Sequence, residues 1–452
     1  MRFSSSWLKW LFPVVLIQKK VLTLVPFSQG QILASWYVAA AWTSLALSRP
    51  KRAFPGLVFG VVLSIFCLQQ VIAIWLKSSH PDVMAMASAC IGIAMPLLLF
   101  NLLFKVLSDK FRRNYHDTAD QLIRGVQISF WILLPFMILQ ALAAYGFSPA
   151  ATINNILAPI YEARWDPFAN SKSDVHFFYR EGSYATSEFR INGTFEETPN
   201  LMLAFATIYL PFALAGLRHG LRRSTLFFSL AVVFLVISKS SSGLLMAAMA
   251  ITVAWWIRKS WRIGISIGAI STLIALPLLY SSIVDSDLYV KYIAKMTNMD
   301  NTSTNTRSAS ILVAFGMIQE SPIWGWGRQL YHEGASKYVP SFSYDNWEVQ
   351  AYLDNGKFHI YNIPLLLMVE YGVPLAVGSL ACGGGWFALR FKSVSSFDPY
   401  MADLFKYFII FFAFSMTFMG TYFLFQYFVP LAIFAAAFSV IRSNSRKGAA
   451  NE

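Results

Sequence analysis

Stretches of about 20 mostly apolar residues, the length that carries an α-helix across a bilayer, recur from one end of this chain to the other. Nothing else in the sequence restricts the fold as much. Inside lipid every backbone N–H and C=O must find a partner within the protein, which leaves helices and closed barrels. The period-2 alternation of a barrel strand is absent, so the expected fold is all-α. Composition agrees: of 452 residues, 56% are hydrophobic and only 13% charged, with a mean hydropathy of +0.51. Spans are expected near 8–27, 31–48, 54–76, 82–104, 125–145, 199–217, 224–238, 241–257, 263–280, 361–389, 405–424 and 426–441. That is a polytopic transmembrane helical bundle of about 12 spans. Residues 1–452 read as one integral membrane domain, since no fixed-period repeat and no appended soluble unit is visible.

A net charge of +13 would suggest a polyanionic partner in a soluble protein, but in a membrane protein it is first mapped onto topology. Most of the 36 lysines and arginines fall on alternate connections, among them Arg49, Arg52, Lys110, Arg113, Arg218 and Arg258. By the positive-inside rule those connections and both termini are expected to be cytoplasmic, and no nucleic-acid partner is implied. The first span is the least regular, because Lys19 and Lys20 fall near its middle. No small-residue cleavage site follows it, so it is not read as a removed signal peptide. Cys67, Cys90 and Cys382 all lie in expected spans, so neither a disulfide framework nor a cysteine metal site is indicated.

Two segments leave the membrane for long stretches on the other side: 146–198 and 281–360. Loops of this length are functional or disordered, and these are too rich in aromatic residues to be disordered. Trp165, Phe177 and Tyr179 mark the first, and Trp324, Trp326, Tyr331, Trp347 and Tyr352 the second. In the second loop Ile311, Ala314, Phe315 and Ile318 follow the i, i+3, i+4, i+7 spacing of an amphipathic helix. Pro322 is expected to end it, and Gly325 and Gly327 to bracket a tight turn. Arg307 would then lie in the first helical turn, where the helix dipole disfavours a cation unless an anion or solvent compensates.

Several residues carry possible chemistry, each with a plainer reading beside it. His359 stands at the mouth of an apolar run, where an imidazole titrating near neutrality can take a proton from a hydroxyl, or simply hydrogen-bond a carbonyl. Arg190, in RINGTFEETPN, can grip a phosphate bidentately or anchor its helix among headgroups. Lys239, in the short turn SKSSSG, either faces a polar cavity or snorkels. Glu370 is the one acidic residue deep in an expected span, eleven residues after His359. On one helix that is about three turns, which would let both face the same side. Asp285 and Asp287 can hold Mg²⁺ beside a diphosphate, but a solvated turn explains them better, and no metal or cofactor is expected. The glycosylation patterns at Asn192 and Asn301 are too short to carry weight.

Taken in order, RINGTFEETPN (190–200), TRSASILVAFGMIQESPIWGWG (306–327) and HIYNIPLLLMVEYGVPLA (359–376) resemble the O-antigen ligase and O-antigen polymerase superfamily of bacterial inner-membrane glycosyltransferases. They are similar to its Arg-x-x-Gly-Thr-Phe, Thr-x-Arg…Pro-x-x-Gly-x-Gly and His-Asn…Glu-x-Gly elements. Counting back from Glu370 and Gly372, the family's histidine position holds Tyr361 beside Asn362, while His359 matches the first histidine of the His-x-His-Asn form. The family's Ser-Arg turn is replaced by one carrying Lys239.

The resemblance implies a GT-C-like fold and transfer on the periplasmic face of the inner membrane. The donor would be an undecaprenyl-diphosphate-linked oligosaccharide, the acceptor a glycan on a lipid carrier, and membrane lipid the surroundings. His359 would accept the hydroxyl proton, and Arg307, Arg190 and Lys239 would stabilise the diphosphate leaving group, with Asn362, Tyr361 and Glu370 in support. Polymerisation of repeat units is the first expectation and ligation of finished polymer to lipid A core the second. A lipid-linked oligosaccharide flippase is the rival from another class; it would spread polar residues through the spans.

Overall fold

The computed structural model describes residues 5–16, 32–54, 56–78, 83–161, 190–195, 198–238, 240–258, 302–328, 330–356, 358–420 and 424–449. These residues form helices and turns, with no strand among them. After a short helical N-terminal stretch, the main helices are α1 (Ile32–Ser48), α2 (Leu57–Lys77), α3 (Val83–Arg113), α4 (Tyr115–Ala144), α5 (Ser148–Tyr161), α6 (Thr198–Arg218), α7 (Ser224–Ile237) and α8 (Ser241–Arg258). Then come α9 (Thr302–Glu320), α10 (Trp347–Asp354), α11 (Ile363–Tyr371), α12 (Val373–Phe397), α13 (Pro399–Ser415) and α14 (Phe425–Ala449).

Five described helices are long and apolar enough to cross a membrane: those ending at Lys77, Arg113, Ala144 and Arg218, and the stretch Phe425–Arg442. α7 and α8 are shorter apolar helices. The span expected over 263–280 lies outside the described residues. α6 is the hub. Its window is 94% buried, it carries a π-helical turn at Phe205–Tyr209, and α7, α13 and the middle of α4 near Phe130 pack around it. Phe130, Phe205, Tyr209, Phe408, Phe411 and Phe438 are completely buried at this centre.

Helix starts follow local chemistry. The Asn114 side chain accepts the Asp117 N–H at 3.2 Å to begin α4, and Asp398 accepts the Met401 N–H at 3.0 Å to begin α13. Prolines 96 and 135 lie inside α3 and α4, where packed neighbours and local adjustment of the helix re-satisfy the backbone groups a proline frees.

Three expectations are corrected here. The span expected over 361–389 is two helices, because Gly372 (φ 79°, ψ 158°) breaks the chain between α11 and α12. Nine residues of α11 rise only about 14 Å, too little to cross a bilayer alone. The expected 8–27 span begins instead as short turns at Ser5–Trp10 and Leu11–Val15, with Leu8, Leu11 and Val15 buried against α4; Lys19 and Lys20 lie outside the described residues. The amphipathic face of α9 is also different. Ala309, Ser310, Val313, Ala314 and Met317 are buried, whereas Ile311 is 36% and Phe315 50% exposed.

The described part of the second loop has an apolar core of its own. Val313, Met317, Trp326, Tyr331, Tyr352 and Phe358 pack together and continue into Leu366 and Val369 of α11. Burying these side chains offsets the entropy of ordering so long a connection.

Candidate functional site

A polar network links α9, α10 and the segment leading into α11. Asn346 caps α10 by accepting the Glu348 N–H at 2.9 Å. Its amide nitrogen lies 3.0 Å from Asn305 Oδ1 and 3.1 Å from Thr306 Oγ1. The Thr306 hydroxyl lies 3.0 Å from Glu348 Oε2. Tyr352 Oη lies 2.9 Å from Glu348 Oε1 and 2.7 Å from Tyr361 Oη. A carboxylate only accepts, so Tyr352 donates to Glu348 and Tyr361 donates to Tyr352. Burial, followed by the proximity of Tyr361 and Glu348, raises the Tyr352 pKa far above that of an ordinary phenol, so the Tyr352 hydroxyl keeps its proton.

His359 stands edge-on to the Tyr352 ring at 5.1 Å, with Tyr361 6.3 Å and His332 6.1 Å away between ring centroids. His332 Nδ1 lies 2.8 Å from the Phe358 carbonyl oxygen. A carbonyl only accepts, so this nitrogen carries a hydrogen. Arg307 joins the group through backbone. Ser310 Oγ donates to the Arg307 carbonyl at 2.8 Å and accepts the Tyr361 N–H at 3.3 Å. Among the described residues no carboxylate pairs with the Arg307 guanidinium, and the residue is partly exposed. The segments so joined carry a guanidinium, two imidazoles and a hydrogen-bonded pair of tyrosines, groups that can bind an anion or accept a proton.

α9 starts at Thr302, so Arg307 is on its second turn and not its first; the argument from an opposing helix dipole does not apply. His359 and Glu370 do not share a helix, because α11 begins only at Ile363. Asn362 is its N-cap, accepting the Leu365 N–H at 3.0 Å, with Pro364 in the first turn.

Glu370, 2% exposed, belongs to a second structure, the crossing of the Pro322–Gly327 turn over the end of α11. Trp326 N–H donates to the Val369 carbonyl at 2.7 Å, Gly327 N–H to the Glu370 carbonyl at 3.1 Å, and Val373 N–H to the Pro322 carbonyl at 2.8 Å. A Cβ on Gly325 would lie 2.6 Å from Gly372 N, and one on Gly372 would lie 2.0 Å from Ile323 O. Both glycines have φ near +70°, so they allow both the conformation and the close approach. Gln69 and Gln70 of α2 complete the crossing. Both amides donate to the Glu370 carbonyl at 3.2 Å, and Gln70 Oε1 accepts the Arg328 N–H at 2.7 Å. Burial, then the Glu370 charge, pushes the Tyr331 phenol well above its usual range, with Arg328 opposing.

Arg190 heads the third anchored stretch. Gln140 of α4 accepts the N–H groups of Asn192 and Gly193 at 3.1 and 2.8 Å and donates to Asn192 Oδ1 at 2.9 Å. Asn192 is fully buried, which closes it to glycosylation. Gly193 holds φ 60°, a conformation that favours glycine, and a Cβ there would press on the end of the Leu133 side chain at 2.8 Å, with Leu201 at 3.6 Å. Leu201 lies in the first turn of α6, and Leu203 one half-turn on packs against Ile363 of α11. The end of α6 is therefore a common footing for the Arg190 stretch and the His359 stretch. Lys239, Asp285, Asp287 and Asn301 lie outside the described residues. Glu348 and the amides Gln69, Gln70 and Gln140 were not singled out in the sequence, Tyr352 was read only as an aromatic of the loop, and His332 was given no role. Their one signal was a polar side chain in an otherwise apolar or aromatic stretch.

Neither a curated protein nor a solved structure matches the chain. The residues that hold Arg307, His359, Tyr361 and Glu370 fall within a matched family region, while Arg190 precedes it. Residues 226–380, about a third of the chain, match the model of the family described as O-Antigen ligase, and this match supports the resemblance of the chain to the O-antigen ligase and polymerase superfamily.

Proposed function

We propose that the protein is a membrane glycosyltransferase that moves a glycan from undecaprenyl diphosphate to a sugar hydroxyl at the outer face of the bacterial inner membrane, most specifically as a polymerase of O-antigen or related repeat units. The observation that carries the proposal is the joining of Arg307 to the His359–Tyr361 segment through Ser310, inside the region that matches the ligase family. The full topology of about twelve spans with both termini cytoplasmic belongs to the same proposal. In support, the site gathers where α2 ends and α6 begins, whereas Arg49, Arg52, Arg113 and Arg218 lie at the opposite helix ends.

In this reading the acceptor hydroxyl attacks the anomeric carbon as the C–O bond to the diphosphate breaks, inverting that centre. His359 accepts the hydroxyl proton, and Tyr361, fixed by Tyr352 and Glu348, orients the acceptor sugar. Arg307, with Arg190 and Lys239, stabilises charge growing on the leaving diphosphate. No metal is assigned to the step.

The family description favours a second reading, ligation of finished polymer to lipid A core. Lipid products of a deletion strain separate the two. Loss of a polymerase leaves single repeats on lipid A core; loss of a ligase leaves long polymer on undecaprenyl. Unchanged glycolipids would contradict both.

A further inference from the structure

The end of the bundle opposite the candidate site holds a charge cluster that glycan transfer does not use. Asp109, 3% exposed near the end of α3, meets Arg113 Nη2 at 2.6 Å, Arg52 Nη1 at 2.9 Å and Arg49 Nη1 at 3.2 Å. Lys110 adjoins them, with its Nζ 5.9 Å from the centre of the Trp7 ring. Among the described residues, the three arginines share the one carboxylate of Asp109. Asp117, on the surface, is the next carboxylate acting on Lys110.

Beside the cluster lies a cavity of about 130 Å³. Ala41 and Leu45 of α1 and Val106 of α3 line part of it, and Asp109, Lys110 and Arg113 another part. On α3 the apolar Val106 comes about one turn before Lys110 and two turns before Arg113. The cavity therefore grades from an apolar wall to a cationic one over a few ångströms, the sequence of environments that a lipid presents between acyl chain and phosphate. Trp7 and Tyr37 also border it, and such rings favour the headgroup level of a bilayer. Gly92, whose carbonyl accepts from Arg328 of the candidate-site turn, is seventeen residues before Asp109 on α3, about 25 Å along the axis. That separation is close to the thickness of the hydrocarbon layer, about 30 Å.

We propose that this cavity binds the phosphate group of an anionic membrane lipid at the bilayer face opposite the transfer site. Three arginines around one carboxylate leave a net positive charge beside the cavity, which selects an anion, and the apolar wall selects a lipid over a free ion. Each cation near a charged membrane surface contributes enough that its removal weakens binding about fivefold.

The test uses the full chain in nanodiscs of phosphatidylcholine with or without phosphatidylglycerol, read by native mass spectrometry of retained lipid and by thermal midpoint. The parent is expected to retain phosphatidylglycerol and to melt higher in its presence. Lys110→Gln should lower retention about fivefold. Arginine variants risk stranding the buried Asp109, so Ser44→Leu, which fills the cavity and leaves every ion pair intact, is the companion; it too should lose the retained lipid. A matching rise in midpoint from inorganic phosphate in phosphatidylcholine alone keeps the anion site and assigns it to free phosphate. Equal retention by the parent and both folded variants, with no response to phosphate, overturns the proposal.

Discussion

The hydroxyls of Tyr352 and Tyr361 lie 2.7 Å apart, and the first of them donates to Glu348. The backbone of Tyr361 is tied through Ser310 to the backbone of Arg307, so Tyr361 joins the residue that carries the cation to the Glu348 carboxylate. In the transfer reading Arg307 meets the leaving group and His359 and Tyr361 meet the acceptor.

Arg307→Ala should lower transfer by roughly 10²-fold or more, the usual cost of removing a preorganised donor to developing negative charge. Arg307→Lys keeps the charge but not the bidentate fork and should recover only part of the activity. Polymer output on a gel, at matched protein level, checks both.

The raised pKa of Tyr352 sets the sign of an alkaline effect. Its folded-state value exceeds the unfolded one of about 10. The stabilisation is therefore complete below that pH and is lost as pH rises through the region above it. Thermal midpoints in detergent should fall for the parent above pH ~10, and Tyr352→Phe, with no phenol proton to lose, should fall less steeply across the same range.

Gly325→Ala and Gly372→Ala should each destabilise the crossing by about 2 kcal/mol or more, since each places a Cβ against backbone and holds alanine at positive φ. The expected readout is a lower midpoint and reduced protein level for both, and alanine at Gly378, where nothing lies within 4 Å, serves as the control.

Gln140→Ala should cost about 1–3 kcal/mol, because the buried N–H groups of Asn192 and Gly193 lose their acceptor. If Arg190 acts on the diphosphate, the same variant should also reduce transfer through a displaced arginine. Activity per folded molecule, measured beside thermal stability, distinguishes the two effects.

The helical class and the grouping of Arg307 with the His359–Asn362 segment were legible because each leaves a local trace: a run of apolar residues, a motif. What was not legible is non-local. Gly325 and Gly327 read as a tight turn, but their conformation serves a crossing with Gly372 some fifty residues on. The stripe Ile311, Phe315 had the right period, yet α9 buries its smaller face, Ala309, Ser310 and Val313, because the tyrosine network and the loop core lie there. The helix start at Ile363 was readable from Asn362 and Pro364, a cap followed by a first-turn proline. Reading through it joined His359 and Glu370 on one imagined helix.

The most direct measurement is glycan elongation by the purified full chain in detergent, where no compartments exist for transport. It is supplied with undecaprenyl-diphosphate-linked repeats, and the products are sized by mass. The account predicts that the parent lengthens the lipid-linked glycan and that Arg307→Ala and His359→Ala, equally folded, do not. Full elongation by both variants would contradict the assigned residues, and no elongation or ligation by a folded parent would contradict transfer itself.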